Sequence, residues 1–254
     1  MIGQVRRAGL VLPGVMSLLG LGILIGLGSW QIVRKAEKEE LIAKIEAKRT
    51  GEPLDLESVL RRGPASEADY QRVRVSGTFV PGKERFYYAP QPRLGPGYDI
   101  YQPLKYTANK VVWVNRGYIP ERERGNPQSW RVPEGEVSVI GTARLPAMPG
   151  NFTPENDIKG NVWYWRDLTG MHNSAFAGAE GIGTAPLFVV AEPEKALSEV
   201  DKAQATGGPW PKRGVSDLVI VNRHLEYALT WFGLAATLVG VFAAFALTRL
   251  RKFR

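Results

Sequence analysis

Residues 8–33 read AGLVLPGVMSLLGLGILIGLGSWQIV, an unbroken stretch without one charged side chain. A second such stretch, YALTWFGLAATLVGVFAAFALT, occupies residues 227–248 near the other end of the 254-residue chain. About 20 mostly apolar residues in a helix cross the hydrocarbon core of a bilayer, so both stretches are long enough to span it. About 190 residues of ordinary polar sequence separate them, enough to bury a sizeable core. The pattern predicts two transmembrane helices flanking one large domain on a single side of a membrane.

Charge sets the expected orientation. Arg6 and Arg7 precede the first span, and Arg249, Arg251, Lys252 and Arg254 follow the second. Short flanks rich in Lys and Arg stay cytoplasmic, whereas long loops translocate largely regardless of charge. Those six are part of 33 basic residues, leaving 27 against 25 acidic ones elsewhere. Most of the net charge of +8 thus sits in the tails, and the basic balance reports topology, not nucleic-acid binding. The first apolar run exceeds the h-region of a signal peptide and no A-x-A site follows it, so it is expected to remain as an anchor. No Arg- and Ser-rich transit peptide precedes it, which favours a bacterial inner membrane. The chain has no cysteine, which excludes disulfides, thiolate metal sites and covalent haem attachment through C-x-x-C-H.

The expected organisation is a cytoplasmic N-terminus (1–7), a first transmembrane helix (8–33), a helical extension and linker (34–69), an exported β-rich domain (70–226), a second transmembrane helix (227–248) and a basic cytoplasmic tail (249–254). Ile32, Ala36, Leu41, Ile42 and Ile45 recur at roughly helical spacing. The first span therefore either continues as an amphipathic helix or breaks near Gly28; Gly51 and Pro53 end it, and Leu54–Leu60 forms a short helix. From Tyr70 the period becomes two. Strands are expected at 70–80, 85–89, 98–104, 111–118, 137–145, 162–166, 187–191 and 217–222, separated by Pro and Gly turns. The fold class is a mainly antiparallel β domain, barrel- or sandwich-like, with a few short helices. One of these is Asp167–Gly178, with Asp167 at its N-cap. Thr206–Gly214 reads as a mobile loop near the membrane. Within the spans, Gly22 with Gly26, and Ala236 with Gly240 and Ala244, form small-residue ridges on which the helices could pack.

No catalytic constellation is visible: there is no Ser elbow, P-loop, H-E-x-x-H or dinucleotide fingerprint. His172 reads as a surface residue. His224 falls three positions before the second uncharged stretch, at the expected outer interface. Two readings of it stay open. A neutral imidazole there can bind haem iron, with Trp231 seven residues on along the same helical face. Alternatively it hydrogen-bonds at a helix N-terminus while Tyr227 and Trp231 belong to the aromatic belt. Trp163, Tyr164 and Trp165, with Trp113 and Tyr118, suit either a pocket for a flat ligand or the core and rim of the sheet. Arg116 suits either a propionate, through bidentate bonds, or a structural ion pair.

The residues resemble the surfeit-locus-one (Shy-type) family of cytochrome c oxidase assembly proteins over nearly the whole chain. The resemblance is carried by Leu27-Gly28-Ser29-Trp30-Gln31 with Arg34, Lys38, Leu41 and Ile42, and by Tyr70, Val73, Gly77 and Phe79. It continues in Gly97-Tyr98, Pro103-Leu104, the run Val112-Trp113-Val114-Asn115-Arg116-Gly117-Tyr118-Ile119-Pro120, and Asn161, Trp163 and Asp167. His224-Leu225-Glu226-Tyr227-Ala228-Leu229-Thr230-Trp231-Phe232-Gly233 resembles the junction with the second span. The resemblance implies a membrane assembly factor, not an enzyme, that binds haem a and helps it reach oxidase subunit I. The histidine at that junction, here His224, is the implied iron ligand. Where the family commonly has paired asparagines before it, this chain has Asn222-Arg223.

The leading expectation is thus a carrier holding haem a transiently at the outer membrane interface. His224 would ligate iron, Trp231 would pack on the ring, and Arg116 or Arg223 would meet propionates. Oxidase subunit I and a haem a synthase are the expected partners; oligomeric state is left open. The alternative is a cofactor-free scaffold that stabilises a subunit I assembly intermediate. A third reading, an exported sensor or binding module, lacks a cytoplasmic signalling segment in the short tails.

Overall fold

Alternation along the strands decides how the central domain is built. In β5, Lys110–Pro120, Val112 and Val114 enter one buried cluster while Val111 and Trp113 enter another on the opposite face. Only a strand covered on both sides buries consecutive residues this way. The computed structural model describes residues 9–92, 94–179, 181–193, 210–214 and 222–252. The chain divides into two compact units, Ile45–Leu218 and the pair Met1–Lys44 with Val219–Arg254.

The larger unit is an eight-stranded mixed sheet: β1 (Leu54–Asp55), β2 (Arg72–Phe79), β3 (Arg85–Tyr88), β4 (Gly97–Thr107), β5, β6 (Glu136–Arg144), β7 (Val162–Trp163) and β8 (Gly183–Ala191). The strand order is β1-β2-β6-β8-β5-β4-β3-β7, and β2 also pairs with β4. That extra pairing, Thr78 with Lys105 and Phe79 with Leu104, closes β2, β6, β8, β5 and β4 into a five-stranded barrel. It decides between barrel and sandwich. Five of the eight ladders are antiparallel; β1–β2, β3–β7 and β5–β8 are parallel. The barrel interior holds Val73, Val75, Leu104, Val114, Val139 and Leu187. Gly77 makes closure possible: a Cβ there would lie 2.2 Å from the Lys105 carbonyl oxygen.

Seven of the eight expected strands are present within a few residues; the eighth, at 217–222, lies outside the described residues except for Asn222. β1 was not expected. Leu54 and Asp55 pair with Val73 and Arg74 before the chain enters α2, Leu56–Arg62, where Asp55 caps the helix by accepting from Ser58 N at 2.9 Å. Asp167 caps α3, Leu168–Ala175, as expected, accepting from Gly170 N at 2.8 Å. The mobile-loop expectation fails for the described part of Thr206–Gly214. Lys212 exchanges both backbone hydrogen bonds with Tyr118, at 2.8 and 2.9 Å, and Trp210 is buried beside Tyr118.

The other unit contains α4, His224–Lys252, and most of α1, Val11–Thr50, whose residues from Ile45 onward belong to the sheet unit. α1 does not break at Gly28. Both helices are long and apolar enough to cross a membrane, and almost none of either apolar window is buried in protein, as in a lipid-facing span. They pair antiparallel. Gly14 faces Phe242, Gly20 faces Leu238 and Gly28 faces Phe232. The shielded positions on α4 are His224, Ala228, Trp231, Ala235, Leu238, Phe242 and Ala246, a spacing of four and three as far as Phe242 that marks a coiled-coil-like seam. The expected ridges are corrected here: Gly22, Gly26 and Gly240 have nothing within 4 Å of a would-be Cβ. Their spacing is right for a small-residue ridge, but they lie on the outward faces.

Candidate functional site

The seam of the helix pair ends in a group of polar contacts. Asn222 precedes α4; its Oδ1 accepts from His224 N at 3.3 Å and its Nδ2 donates to the Lys35 carbonyl at 3.4 Å. One of the helix's orphan N–H groups is thereby satisfied and the start of α4 is tied to α1. Gln31 of α1 lies opposite. Its Oε1 stands 2.6 Å from Nδ1 of His224. An amide oxygen can only accept, so with Oε1 facing the ring Nδ1 is the donor, and a neutral imidazole held in this way has its lone pair on Nε2. Nε2 has no hydrogen-bond partner among the described residues. This is the arrangement in which a second residue fixes the tautomer of a metal-binding histidine and raises its basicity.

Trp231 occupies the same seam two turns along and is half-buried, as the heptad spacing from His224 requires. Gln31 and His224 both sit where uncharged sequence gives way to Arg34, Lys35 and Arg223. Arg223 is exposed, and its side chain makes no ion pair or hydrogen bond among the described residues. No group of three or more His, Asp or Glu residues among the described residues could hold a bare metal ion. An iron atom carried in a macrocycle needs only one axial donor from the protein, and the His224 imidazole fits that need.

Arg116 belongs to the other of the two units. It lies in the sheet unit, buried, with Nη1 donating to Gln102 Oε1 at 2.8 Å and Nη2 to the carbonyls of Trp130 and Arg131. Its guanidinium stacks 5.5 Å from the centre of the Phe79 ring. Burial, with Arg213 nearby, pulls its pKa down to about 10. Its partners are an amide and carbonyls, not the carboxylate that an ion pair requires, and its role is to tie β5 to β4 and the turn at Trp130. The aromatic residues also resolve as core and rim: Trp113, Trp163 and Tyr118 are fully buried, and Tyr164 and Trp165 are half-buried. His172 is half-buried; its Nε2 lies 3.0 Å from the Ile182 carbonyl and its ring packs 5.0 Å from that of Phe176.

Comparison with known proteins accounts for the order of these features. The family model described as SURF1 family matches residues 18–236. This chain belongs to the SURF1 family. The family is known for cytochrome c oxidase assembly factors. Human Surfeit locus protein 1 is 32% identical over 230 residues, covering 83% of this chain and 70% of the human protein. The Takifugu rubripes Surfeit locus protein 1 is 30% identical over 229 residues, covering 87% of that protein. A SURF1-like protein of Rickettsia conorii is 29% identical over 226 residues, covering 88% of this chain and 86% of the relative. Within SURF1-type motifs several residues have structural work. Asn161, at φ 54°, donates to the Glu84 carbonyl and accepts from Trp163 Nε1, each at 3.0 Å. Gly117, at φ 121°, lets Lys212 approach, since a Cβ would lie 2.6 Å from the Lys212 carbonyl.

Gln31 is the site residue that sequence reasoning missed. Its signal was present: a lone carboxamide at the end of an uncharged stretch, in helical phase with Leu24, Gly28 and Lys35.

Proposed function

We propose that this protein is a cytochrome c oxidase assembly factor that carries haem a transiently at the membrane interface. The Gln31–His224 hydrogen bond at 2.6 Å supports this most directly. It presents Nε2 as the free donor for iron, at the junction of an apolar helix pair with charged sequence. Haem is a flat apolar ring with two carboxylates, so such a junction suits both of its ends. Trp231 lies on the same seam to pack against the ring, and the exposed Arg223 is available to a propionate. A carrier must release its cargo, and one histidine at an open helix end supplies a moderate hold. The role is that of a carrier, not an enzyme, handing haem a to oxidase subunit I, with a haem a synthase as the source.

The orientation belongs to the same proposal. Arg249, Arg251 and Lys252 lie in the last turn of α4; because short basic flanks stay cytoplasmic, they support a reading with both termini in the cytoplasm and the sheet unit on the periplasmic side of a bacterial inner membrane. The experiment is an absorption spectrum of the protein purified in mild detergent from cells that make haem a, alongside His224→Ala. A haem a Soret band in the parent that is lost from a folded variant is the expected result. No band in either protein would leave a cofactor-free scaffold for subunit I.

A further inference from the structure

Thr142 pairs with Val190, Val190 with Asn115, and Asn115 with Tyr101, so four residues from β6, β8, β5 and β4 stand in one cross-strand row. Their neighbours Ala143, Val189 and Val114 point into the barrel, so by alternation this row faces away from it. The row borders a cavity of about 230 Å³, several times the space one water needs. Arg144, two residues after Thr142 and therefore on the same face, lines the cavity together with Arg49 and Arg166. Asp99 is the one carboxylate in that lining, against three guanidinium groups, and it accepts from Asn115 Nδ2 at 3.0 Å.

Arg144 is built into place. It is only 7% exposed. Its Nε donates to Asp69 Oδ1 at 3.1 Å, and its guanidinium lies 4.3 Å from the centre of the Tyr70 ring. Tyr70 itself adopts a left-handed conformation, φ 66°, and its hydroxyl accepts from Nη2 at 3.4 Å. After these contacts Nη1 remains buried without a partner among the described residues, and so does Nε of Arg166. A buried charged donor with no acceptor bears its full desolvation cost, and such groups are rare unless something else satisfies them. Here two of them belong to arginines that line one cavity.

We propose that this cavity is an oxyanion site that takes the carboxylate or phosphate group of a small ligand, with the guanidinium groups of Arg144 and Arg166 as its donors. Paired guanidinium donors match the oxygens of such groups, and in a half-enclosed site the bonds are stronger than in water. The Thr142 hydroxyl offers a further donor. Burial raises the pKa of the Tyr101 phenol, so it stays protonated beside the anion. The site lies wholly within the sheet unit and does not depend on haem.

The test is calorimetric titration of the full-length protein in detergent with inorganic phosphate, with succinate and with a short-chain phosphatidylglycerol, against sodium chloride at matched ionic strength. Saturable binding of at least one is expected, weakened about tenfold or more in Arg166→Gln. Thr142→Val, which removes a hydroxyl without touching an arginine, should weaken it less; it also gives a reading if Arg166→Gln fails to fold. Binding of phosphate or succinate identifies a free oxyanion group, and binding of the lipid alone identifies a headgroup phosphate. No saturable binding of any probe at millimolar concentration would overturn the proposal, leaving a cavity that holds only water. Binding that is unchanged in both variants would also overturn it, because the anion would then sit elsewhere.

Discussion

Gly28 of α1 lies directly against the ring of Phe232 on α4: a Cβ built on it would stand 2.7 Å from the nearest ring carbon. The contact is one turn from Gln31 and sets how closely the helices approach where the His224 hydrogen bond forms. Gly28→Leu should force them apart at a cost of about 1–3 kcal/mol. The chain has no cysteine, so a pair introduced at Gly20 and Leu238 would report helix pairing without background. Disulfide yield in isolated membranes should fall several-fold when Gly28→Leu is added. Equal yields would mean that the contact does not hold the pair together.

Gln31→Leu should weaken haem a binding about tenfold without abolishing it, because orienting partners of metal-binding histidines are worth about 10–100-fold in affinity. Gln31→Glu keeps an acceptor for Nδ1–H and should retain haem while shifting its reduction potential downward, since a carboxylate makes the imidazole more basic. Redox-resolved spectra of the two variants and His224→Ala separate positioning from ligation. Potentials and affinities identical to the parent would remove Gln31 from the site.

Gly77→Val tests barrel closure. Its side chain would be driven into the Lys105 carbonyl, and backbone at a strand pairing cannot give way as a side chain can. A loss of about 3 kcal/mol is expected. Gly125→Ala has open space around it and should change stability by less than about 0.5 kcal/mol. Thermal unfolding of the two variants side by side makes the comparison.

Local features were legible in the sequence and non-local ones were not. Period-two alternation located β2 through β8, and the uncharged stretches located α1 and α4, because both patterns depend only on neighbouring residues. Closure of the barrel rests on Gly77 meeting Lys105, and docking of Lys212 rests on Tyr118; neither is encoded near itself. The helix seam was half legible: His224 and Trp231 were placed on one face, but Gly22 and Gly26 share a spacing with the true contacts and differ only in phase. The oxyanion cavity was not legible at all. Its arginines, Arg49 near the end of α1, Arg144 at the end of β6 and Arg166 after β7, are far apart in sequence and come together only in the folded sheet unit.

Arg116→Met separates a structural arginine from a propionate contact. Without the guanidinium, Gln102 Oε1 and the carbonyls of Trp130 and Arg131 lose their donor in a buried setting. Stability should fall by about 2–3 kcal/mol, while the folded fraction keeps the parent's haem a content. Full stability with selective loss of haem would instead return Arg116 to the ligand.

Alkaline stability should follow the buried tyrosines. Burial is the chief cause of the raised pKa values of Tyr101, Tyr106 and Tyr118 above their ordinary 10.0. A phenol whose pKa is raised on folding keeps more of its protons in the folded state. Its contribution is therefore complete below about pH 10 and is lost as pH rises toward the folded value. Arg116 acts in the opposite sense, because a guanidinium pulled down to about 10 releases its proton more readily in the folded state above that pH. Comparing the parent with Tyr101→Phe cancels the arginine term. The difference in Tm between the two should be constant from pH 7 to about pH 10 and then move in favour of the variant. A difference that stays flat through pH 11 would mean that the Tyr101 phenol ionises as readily folded as unfolded.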